Sequence, residues 1–307
     1  MLVTKRRRRG QDIDGVLVLD KPSGLTSNES LQRVKRLFDA RKVGHTGSLD
    51  TLATGVLPLC FGEATKFSRF LLNADKSYHV HSILGIATNT GDADGEVVQR
   101  SETSHIQRED LENSLVGFRG SFDQIPPMFS AIKRNGQPLY KLARKGVEVP
   151  RQARPVTVNK NTLTHFENPH FQLDIQCSKG TYIRTIVDDI GKNLGVGAHV
   201  TALRRHSVGT FDETKLVTLE ELESAKEQGT LKSLLLPISS VVEEWPAIFV
   251  AGPTAYNVRH GQPIRVRQTP AEGWVKLCET VGDSRVRFLG IGEVLDDGRV
   301  APRRLLA

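Results

Sequence analysis

The chain has 307 residues, of which 38% are hydrophobic and 25% are charged, and its formal net charge is +7 at pH 7. A chain of this length and hydrophobic content can bury a substantial core, as expected of a globular protein with one large domain and a smaller one. It contains no run of about 18 apolar residues and no apolar stretch behind its basic N-terminus, which argues against a membrane span and a secretory signal. We therefore expect a cytoplasmic protein.

The positive charge is concentrated in two segments. Residues 1–10 contain five basic residues and no acid, and residues 124–154 contain seven basic residues and one acid. Together they carry +11, so the rest of the chain carries a net charge of −4. We expect residues 1–10 to form a disordered, solvated tail. The second segment mixes charges with aromatic residues and prolines, which is typical of an arm that grips RNA by charge and stacking. Its candidate RNA-binding residues are Lys133, Arg134, Lys141, Arg144 and Lys145.

The first part of the chain predicts a strand, a helix and a second strand. The apolar run within residues 15–24 indicates a buried strand that is stopped by a proline and a glycine. Thr26 and Glu29 form a predicted capping box in front of a helix whose apolar residues recur at helical spacing. Residues 77–88 predict a further strand, which ends at the turn NTGDADG.

The later part of the chain first predicts a strand and helices and then a series of short strands. Residues 171–182 predict a strand that runs directly into a helix over residues 183–194, where apolar residues lie on one face. Residues 218–239 predict one or two helices. Residues 246–307 consist of short strand-like runs divided by glycine-containing turns, which predicts a small β-rich unit packed on the main domain.

Residues 44–55, GHTGSLDTLATG, stand out between these elements. The stretch is rich in Gly, Thr and Ser and contains a single carboxylate, Asp50. Asp50 is therefore the most conspicuous candidate for a catalytic side chain. Taken alone, an aspartate in a loop is more often a turn or capping residue.

Several kinds of site find no support in the sequence. There is no G-x-x-x-x-G-K-[ST], no complete G-x-G-x-x-G and no H-E-x-x-H, so neither a nucleotide cradle nor a metal cage is indicated. Cys60, Cys177 and Cys278 are widely separated without a CxxC, which argues against a disulfide framework and predicts reduced thiols in the core. We expect a site without cofactor or metal that works with side chains alone.

Six segments resemble, in order, the TruB family of bacterial tRNA pseudouridine-55 synthases. The resemblance runs from about residue 13 to residue 211, whereas residues 1–10 lie outside it and the C-terminal unit matches only loosely. The segments are GVLVLDKPSGLTS, KVGHTGSLDTLATGVLPLCFGEATK, KSYHVHSILGIATNTGDADG, QIPPMFSAIKRNGQPLYKLARKG, CSKGTYIRTIVDDIG and ALRRHSVGTF.

The resemblance implies a fold and a domain arrangement. It implies an α+β pseudouridine-synthase fold with a central mixed or antiparallel sheet, followed by a small C-terminal PUA-like domain rich in β-strands. We expect residues 11–245 to form the catalytic domain, with residues 124–154 as its RNA-gripping insertion, and residues 246–307 to form the PUA-like domain.

The resemblance also implies an activity. A uridine at position 55 in the T loop of tRNA would be flipped out and isomerised to pseudouridine, with no cofactor. Asp50 would be the nucleophile, and its target could be a carbon of either the sugar or the base. The expected partner is the T-arm of tRNA, without guide RNA, membrane or second subunit.

Further roles are carried over from the family to matching positions. Tyr78 would stack on the target base and Arg184 would hold the Asp50 carboxylate ionised and aligned. His45 would support the flipped-out nucleotide, and Tyr182 and Leu203 would contact it. Weaker candidates for substrate binding are Lys21, Lys66 and Asp92. For each residue a structural role in a turn, the core or the solvated surface is the alternative.

Two other functions stay open at this point. A noncatalytic RNA-binding or RNA-folding protein could retain the same residues, although an intact set of Asp50, Tyr78 and Arg184 argues against it. A guide-RNA-dependent relative would find its target by RNA pairing, and the basic insertion at residues 124–154 argues against that function.

Overall fold

The computed structural model describes residues 10–282 and 285–306. Apart from Gly10, the predicted basic tail of residues 1–10 lies outside the described residues. The strands are β1 (Gly15–Lys21), β2 (Val43–His45), β3 (Thr54–Phe61), β4 (Lys76–Leu84), β5 (Ile86–Thr88), β6 (Val97–Arg100), β7 (Gly120–Gln124), β8 (Lys133–Arg134), β9 (Gln137–Pro138), β10 (Arg154–Glu167), β11 (His170–Cys177), β12 (Ala198–Val208), β13 (Ala247–Val250), β14 (Gly273–Val281), β15 (Arg285–Val294) and β16 (Val300–Leu305). The helices are α1 (Ser27–Leu37), α2 (Ser68–Asn73), α3 (Arg108–Val116), α4 (Leu139–Ala143), α5 (Ile183–Asn193), α6 (Leu219–Glu227) and α7 (Gly252–Arg259).

The central sheet has eight strands in the order β1-β3-β12-β4-β11-β10-β7, with β2 paired to β3. All its strand pairs are antiparallel except β3 with β12, which run parallel over a short register. The predicted mixed, mostly antiparallel sheet is therefore confirmed. The parallel pair joins β3, which follows residues 44–53, to β12, which carries most of the last family segment.

The start of the chain folds as its pattern predicts. β1 is the terminal strand of the sheet, yet its seven residues are almost all buried, because its side chains pack on both faces and its outer edge pairs with Leu236 and Val217. Thr26 caps α1 and forms a capping box with Glu29, with each side chain bonded to the other's backbone amide. Both predictions are confirmed.

Two element predictions are corrected and one is confirmed. The strand predicted over residues 77–88 is divided into β4 and β5, because Gly85 adopts a left-handed φ of +80° between them. The strand predicted over residues 171–182 ends at Cys177, and the turn that follows places Gly180 at φ +80°. The prediction of one or two helices over residues 218–239 is confirmed by α6, which two short 3-10 helices follow.

Apolar side chains lie on both faces of the sheet. On one face, α1, α3, α5 and α6 contribute to a large buried cluster with the inward side chains of the strands. On the other face, the β1 and β3 side chains pack with α2 and with residues of the last strands. The three cysteines are buried and unpaired, as predicted.

The C-terminal residues form a second sheet in the order β13-β14-β15-β16. This confirms the predicted β-rich unit, to which the structure adds one helix, α7. Its junction with the main sheet is aromatic: Phe70 of α2 meets Trp245 at 5.0 Å and Trp274 at 5.4 Å between ring centroids, and Arg69 lies over Phe70 and Trp274. No helix in the described part of the chain is long and apolar enough to cross a membrane.

Candidate active site

The loop around Asp50 is fixed by contacts from the end of β1 and the start of α1. The Ser27 hydroxyl accepts from the Leu49 amide at 2.7 Å and donates to the Leu49 carbonyl at 3.1 Å. On the other side of Asp50, the Thr51 carbonyl accepts from the Gly24 amide at 2.9 Å. Residues on both sides of Asp50 are therefore held, and its side chain is 43% exposed.

Lys21 also holds this loop. It is fully buried at the end of β1, and its ammonium group donates to the carbonyls of Pro22, Thr51 and Ala53. Burial lowers its pKa to about 8, and the nearby Asp50 carboxylate opposes this shift. The structure therefore places Lys21 beneath the Asp50 loop, with its donors directed at the loop's backbone.

Asp50 and Arg184 form a bidentate ion pair. Arg184 donates from Nε to Oδ2 at 2.8 Å and from Nη2 to Oδ1 at 3.1 Å, and its own side chain is only 5% exposed. The planar guanidinium fork matches the two carboxylate oxygens, so it fixes the orientation of the carboxylate. The result is an aligned anion that faces the accessible side of the site.

Arg184 connects this carboxylate to two other segments. Its Nη1 donates to the Thr90 carbonyl at 2.6 Å and lies 3.5 Å from the buried carboxylate of Asp92. Its Nη2 also donates to the Phe129 carbonyl at 2.9 Å, at the root of the basic insertion. One side chain at the start of α5 thus joins the Asp50 loop, the turn around Asp92 and the insertion.

Tyr182 precedes α5 and is held through its backbone. The side chain of Gln124 accepts from the Tyr182 amide at 2.8 Å and donates to the Tyr182 carbonyl at 3.1 Å. Gln124 is the last residue of β7 and the first residue of the basic segment 124–154, and it is 3% exposed. Burial raises the pKa of the Tyr182 phenol. Both Tyr182 and Arg184 are therefore tied to the root of the insertion.

Tyr78 lies on β4 directly opposite Arg205 of β12, and it is 8% exposed. Burial raises the pKa of its phenol, while Arg205 acts in the opposite direction. His45 of β2 is half-buried, and burial, followed by the positive charge of Arg205, lowers its pKa. Its Nδ1 is buried and has no hydrogen-bond partner within the described residues. We conclude that His45 is neutral near pH 7.

Lys76 at the start of β4 provides a pH-dependent prediction. It is 7% exposed, and burial, with a smaller contribution from Arg205, lowers its pKa from 10.5 to about 8. Between these values the unfolded chain binds more protons at this lysine than the folded chain does. The free energy of unfolding of the wild type should therefore rise with pH relative to Lys76→Met, by up to about 1.4 kcal/mol per pH unit between pH 8 and 10.

Urea unfolding of both proteins from pH 7 to 10 would measure this difference. Lys226→Met, at an exposed lysine of α6, is the matched control. A constant difference between wild type and Lys76→Met across the range would contradict the prediction.

Comparison with known proteins assigns the chain to a family. Residues 35–183 match the model described as TruB family pseudouridylate synthase (N terminal domain). Residues 184–243 match a tRNA pseudouridylate synthase B C-terminal domain, and residues 246–306 match Pseudouridine synthase II TruB, C-terminal. The chain belongs to the TruB family.

Two curated TruB relatives are similar along their whole length. Both are named tRNA pseudouridine synthase B. The relative from Nitrosococcus oceani is 52% identical over 98% of this chain and 97% of its own length, and the one from Pseudomonas paraeruginosa is 52% identical over 100% and 99%. Among solved structures, an H/ACA RNP bound to a substrate RNA has a TM-score of 0.71 at 21% identity, covering 99% of this chain and 91% of that chain. This last likeness concerns the fold, and the predicted fold class is confirmed.

The structure brings most of the predicted TruB site residues together, with two exceptions. The contacts given above link Asp50, Arg184 and Asp92 to one another and Lys21 to the backbone of the Asp50 loop. Tyr78 lies near enough for the Asp50 carboxylate to contribute to its raised pKa. Lys66 lies elsewhere: its ammonium group donates to Glu63 and, at 3.1 Å, to the carbonyl of Leu305 in the C-terminal strand β16. It therefore joins the catalytic domain to the second sheet, and the structure gives no support to its predicted substrate contact. Leu203 is 6% exposed and packs within the large core cluster.

The predicted RNA-binding residues of the insertion are exposed. Lys133 and Arg134 form β8, which pairs with β9 in a two-stranded hairpin. Lys141, Arg144 and Lys145 follow on α4 and the turn after it, and the Arg144 guanidinium lies over the Tyr140 ring at 5.6 Å. These five residues thus belong to one hairpin-and-helix unit.

Sequence reasoning misses two residues of the TruB site. Arg205 directly follows Arg204, and adjacent residues of a strand face opposite sides, so one arginine of such a pair has to point inward. That alternation indicates that one of the two arginines faces the site, but not which of them. Gln124 has no such signal, because nothing in its neighbourhood indicates a side chain that pairs with the backbone 58 residues away.

Proposed function

We propose that this TruB protein isomerises the uridine at position 55 of the T loop of tRNA to pseudouridine, with Asp50 as nucleophile. The bond between N1 of uracil and the sugar breaks, the base turns, and carbon 5 forms the new bond to the sugar. Carbon 5 releases its proton and N1 takes up a proton, so the product is an isomer of the substrate. The atoms of the nucleotide rearrange, so side chains can supply the chemistry. The observation that supports this best is the Asp50 carboxylate, which is accessible and is aligned by the buried Arg184.

The neighbouring residues have roles in the same proposal. The target base has to leave its stack in the folded tRNA, at a cost of roughly a few kcal/mol. Tyr78 would stack on the flipped base, while His45, Tyr182 and Leu203 would contact the nucleotide. Lys21 would hold the loop, and Asp92 would orient Arg184. No cofactor takes part in the proposed reaction.

The test is release of tritium from a T-arm stem-loop whose target uridine is labelled at carbon 5. The purified protein, without any other RNA, is expected to release the label in proportion to pseudouridine formed. A stem-loop with cytidine at the target position is the control substrate. Binding of the stem-loop without any release would contradict the proposed activity. Release only after a second RNA is added would indicate a guide-dependent enzyme instead.

We further propose that the enzyme acts as a monomer in the cytoplasm and that residues 124–154 grip the tRNA backbone. The supporting observation is the exposure of five basic residues on one unit whose root contacts Arg184. The proposed domain limits are residues 11–245 for catalysis and residues 246–307 for a PUA-like domain.

The proposed contact of residues 124–154 with the tRNA backbone predicts how the salt dependence of T-arm binding changes in variants of this segment. The variant Lys141→Gln/Lys145→Gln should bind the T-arm more weakly, and the slope of log K against log salt should become shallower by about 0.7 to 0.9 for each phosphate that the variant no longer neutralises. Arg144 is left intact because its removal would also abolish the contact with Tyr140.

Filter binding or fluorescence anisotropy at several salt concentrations would measure this slope. The matched control is Lys226→Gln/Lys232→Gln, which removes two exposed lysines outside the insertion. Equal slopes for wild type and the insertion variant would show that these lysines do not contact phosphate.

A further inference from the structure

Arg205 is a buried cation with an unusual set of partners. Its side chain is among the largest in the protein that are fully buried, at 1% exposure. Its Nε donates to the Val56 carbonyl at 2.7 Å and its Nη2 to the Gly47 carbonyl at 3.2 Å. Within the described residues, its hydrogen-bond acceptors are therefore backbone carbonyls and not carboxylates, and Tyr78 lies directly opposite it in the adjacent strand.

Burying Arg205 in this way costs folding free energy that a purely structural role does not explain. A buried charge is normally neutralised by an opposite charge, since carbonyl dipoles replace only part of its hydration. The neighbouring Arg204 shows the ordinary solution: on the other face of β12 it forms a bidentate ion pair with Asp20 of β1, at 3.1 Å for each contact. Strand-to-strand anchoring is thus already provided by Arg204.

The position of Arg205 connects the two sides of the site. Gly47 lies three residues before Asp50, in the loop that carries it, and Tyr78 is the residue opposite Arg205 in the adjacent strand. Burial lowers the pKa of Arg205, whereas Tyr78 and Asp50 oppose that shift. A single guanidinium therefore holds the Asp50 loop through Gly47 and lies beside the tyrosine.

We propose that Arg205 is a positioning residue for the reaction, which fixes the Asp50 loop at Gly47 and the Tyr78 hydroxyl relative to each other around the target base. This inference rests on the proposed function for its kinetic consequences. Its structural part, the tether on the loop, does not depend on the activity.

The kinetic test is a double-mutant cycle of Arg205→Lys and Tyr78→Phe. Single-turnover tritium release and the dissociation constant for the T-arm stem-loop are measured for wild type, both single variants and the double variant. Lysine retains the charge but not the fork, so we expect Arg205→Lys to lower the rate on the order of 10- to 100-fold with little change in affinity. The double variant should be hardly slower than Tyr78→Phe, because the two residues act together.

Independent effects on the logarithm of the rate, or a rate loss matched by a loss of affinity, would overturn the proposal. Arg204→Lys is the control, since it lowers stability through its ion pair but leaves the site's contacts in place. Thermal unfolding of each variant verifies the fold, and Arg205→Lys is chosen because it keeps the buried charge and stem.

The structural test is amide hydrogen exchange of the peptide covering residues 44–52, measured by mass spectrometry. Faster exchange in Arg205→Lys than in Arg204→Lys would support the tether, and equal exchange would overturn it. This readout needs no turnover, so a failure of the proposed activity in the wild type is distinguished from a failure of the role proposed for Arg205.

Discussion

Asp50→Asn is expected to abolish turnover while leaving tRNA binding intact. The amide preserves the size of the side chain and can still accept one hydrogen bond from Arg184, but it cannot act as an anionic nucleophile. We expect the single-turnover rate to fall by a factor on the order of 10⁴ or more, as for the loss of other essential catalytic groups. Tritium release and T-arm binding, measured on the same preparations, would test both halves of the prediction.

A matched control is available on the opposite face of the sheet. Asp174 of β11 has a comparable side-chain exposure of 39% and pairs with His79 at 2.8 Å. Asp174→Asn should release tritium at the wild-type rate. If Asp50→Asn kept near-wild-type activity, the assignment of the nucleophile would be wrong.

Gly55→Ala is expected to destabilise the protein severely. Gly55 has φ +99°, and a Cβ at this position would overlap the carbonyl oxygen of Arg205 and lie 3.0 Å from its amide nitrogen. These are backbone atoms of the neighbouring parallel strand, so relief requires β3 and β12 to separate. We expect a loss of about 3 kcal/mol or more in the free energy of unfolding.

Gly24→Ala separates the two causes of this loss. Gly24 also has a left-handed φ, +82°, but a Cβ there would meet nothing within 4 Å. Its replacement should cost only the backbone strain, about 1 to 2 kcal/mol. Urea unfolding of both variants gives the comparison, and equal losses would show that the approach of the two strands is not the cause.

Gly55 also shows how sequence reasoning can locate a site and misjudge one of its residues. With the family resemblance, the glycines of residues 44–55 are expected to let the backbone approach a nucleotide. For Gly55 the close neighbour is instead the backbone of β12, since Arg205 pairs with it in the parallel register. Composition indicates where the chain is crowded, but the identity of the crowding partner depends on sheet order, which composition does not contain.

Local signals are the reliable ones in this chain. The capping box of Thr26 and Glu29 and the buried strand β1 depend on neighbours within a few residues, and both are predictable. The family resemblance predicts the pairing of Asp50 with Arg184, although 134 residues separate them. The contact of Lys66 with Leu305 is not predictable, because membership of a family-like segment says nothing about which way a 3-10 helix directs its side chain.

The inward position of Arg205 is only partly predictable from the sequence. The alternation of a strand requires one of two consecutive arginines to face inward, but β12 has register irregularities after Val200 and after Arg205. Each irregularity can change which residues face inward, so counting along the strand cannot decide between Arg204 and Arg205. Only the observed pairing with Tyr78 of β4 resolves the ambiguity.

The aromatic junction between the two sheets has a practical consequence. The chain contains two tryptophans, and both Trp245 and Trp274 lie there, with ring centroids 5.8 Å apart. Intrinsic fluorescence excited at the red edge of the indole band therefore reports on this junction alone. If the C-terminal sheet moves when RNA docks, the emission maximum will shift while the far-ultraviolet circular dichroism stays constant. The motion of this sheet can therefore be followed in the unlabelled protein.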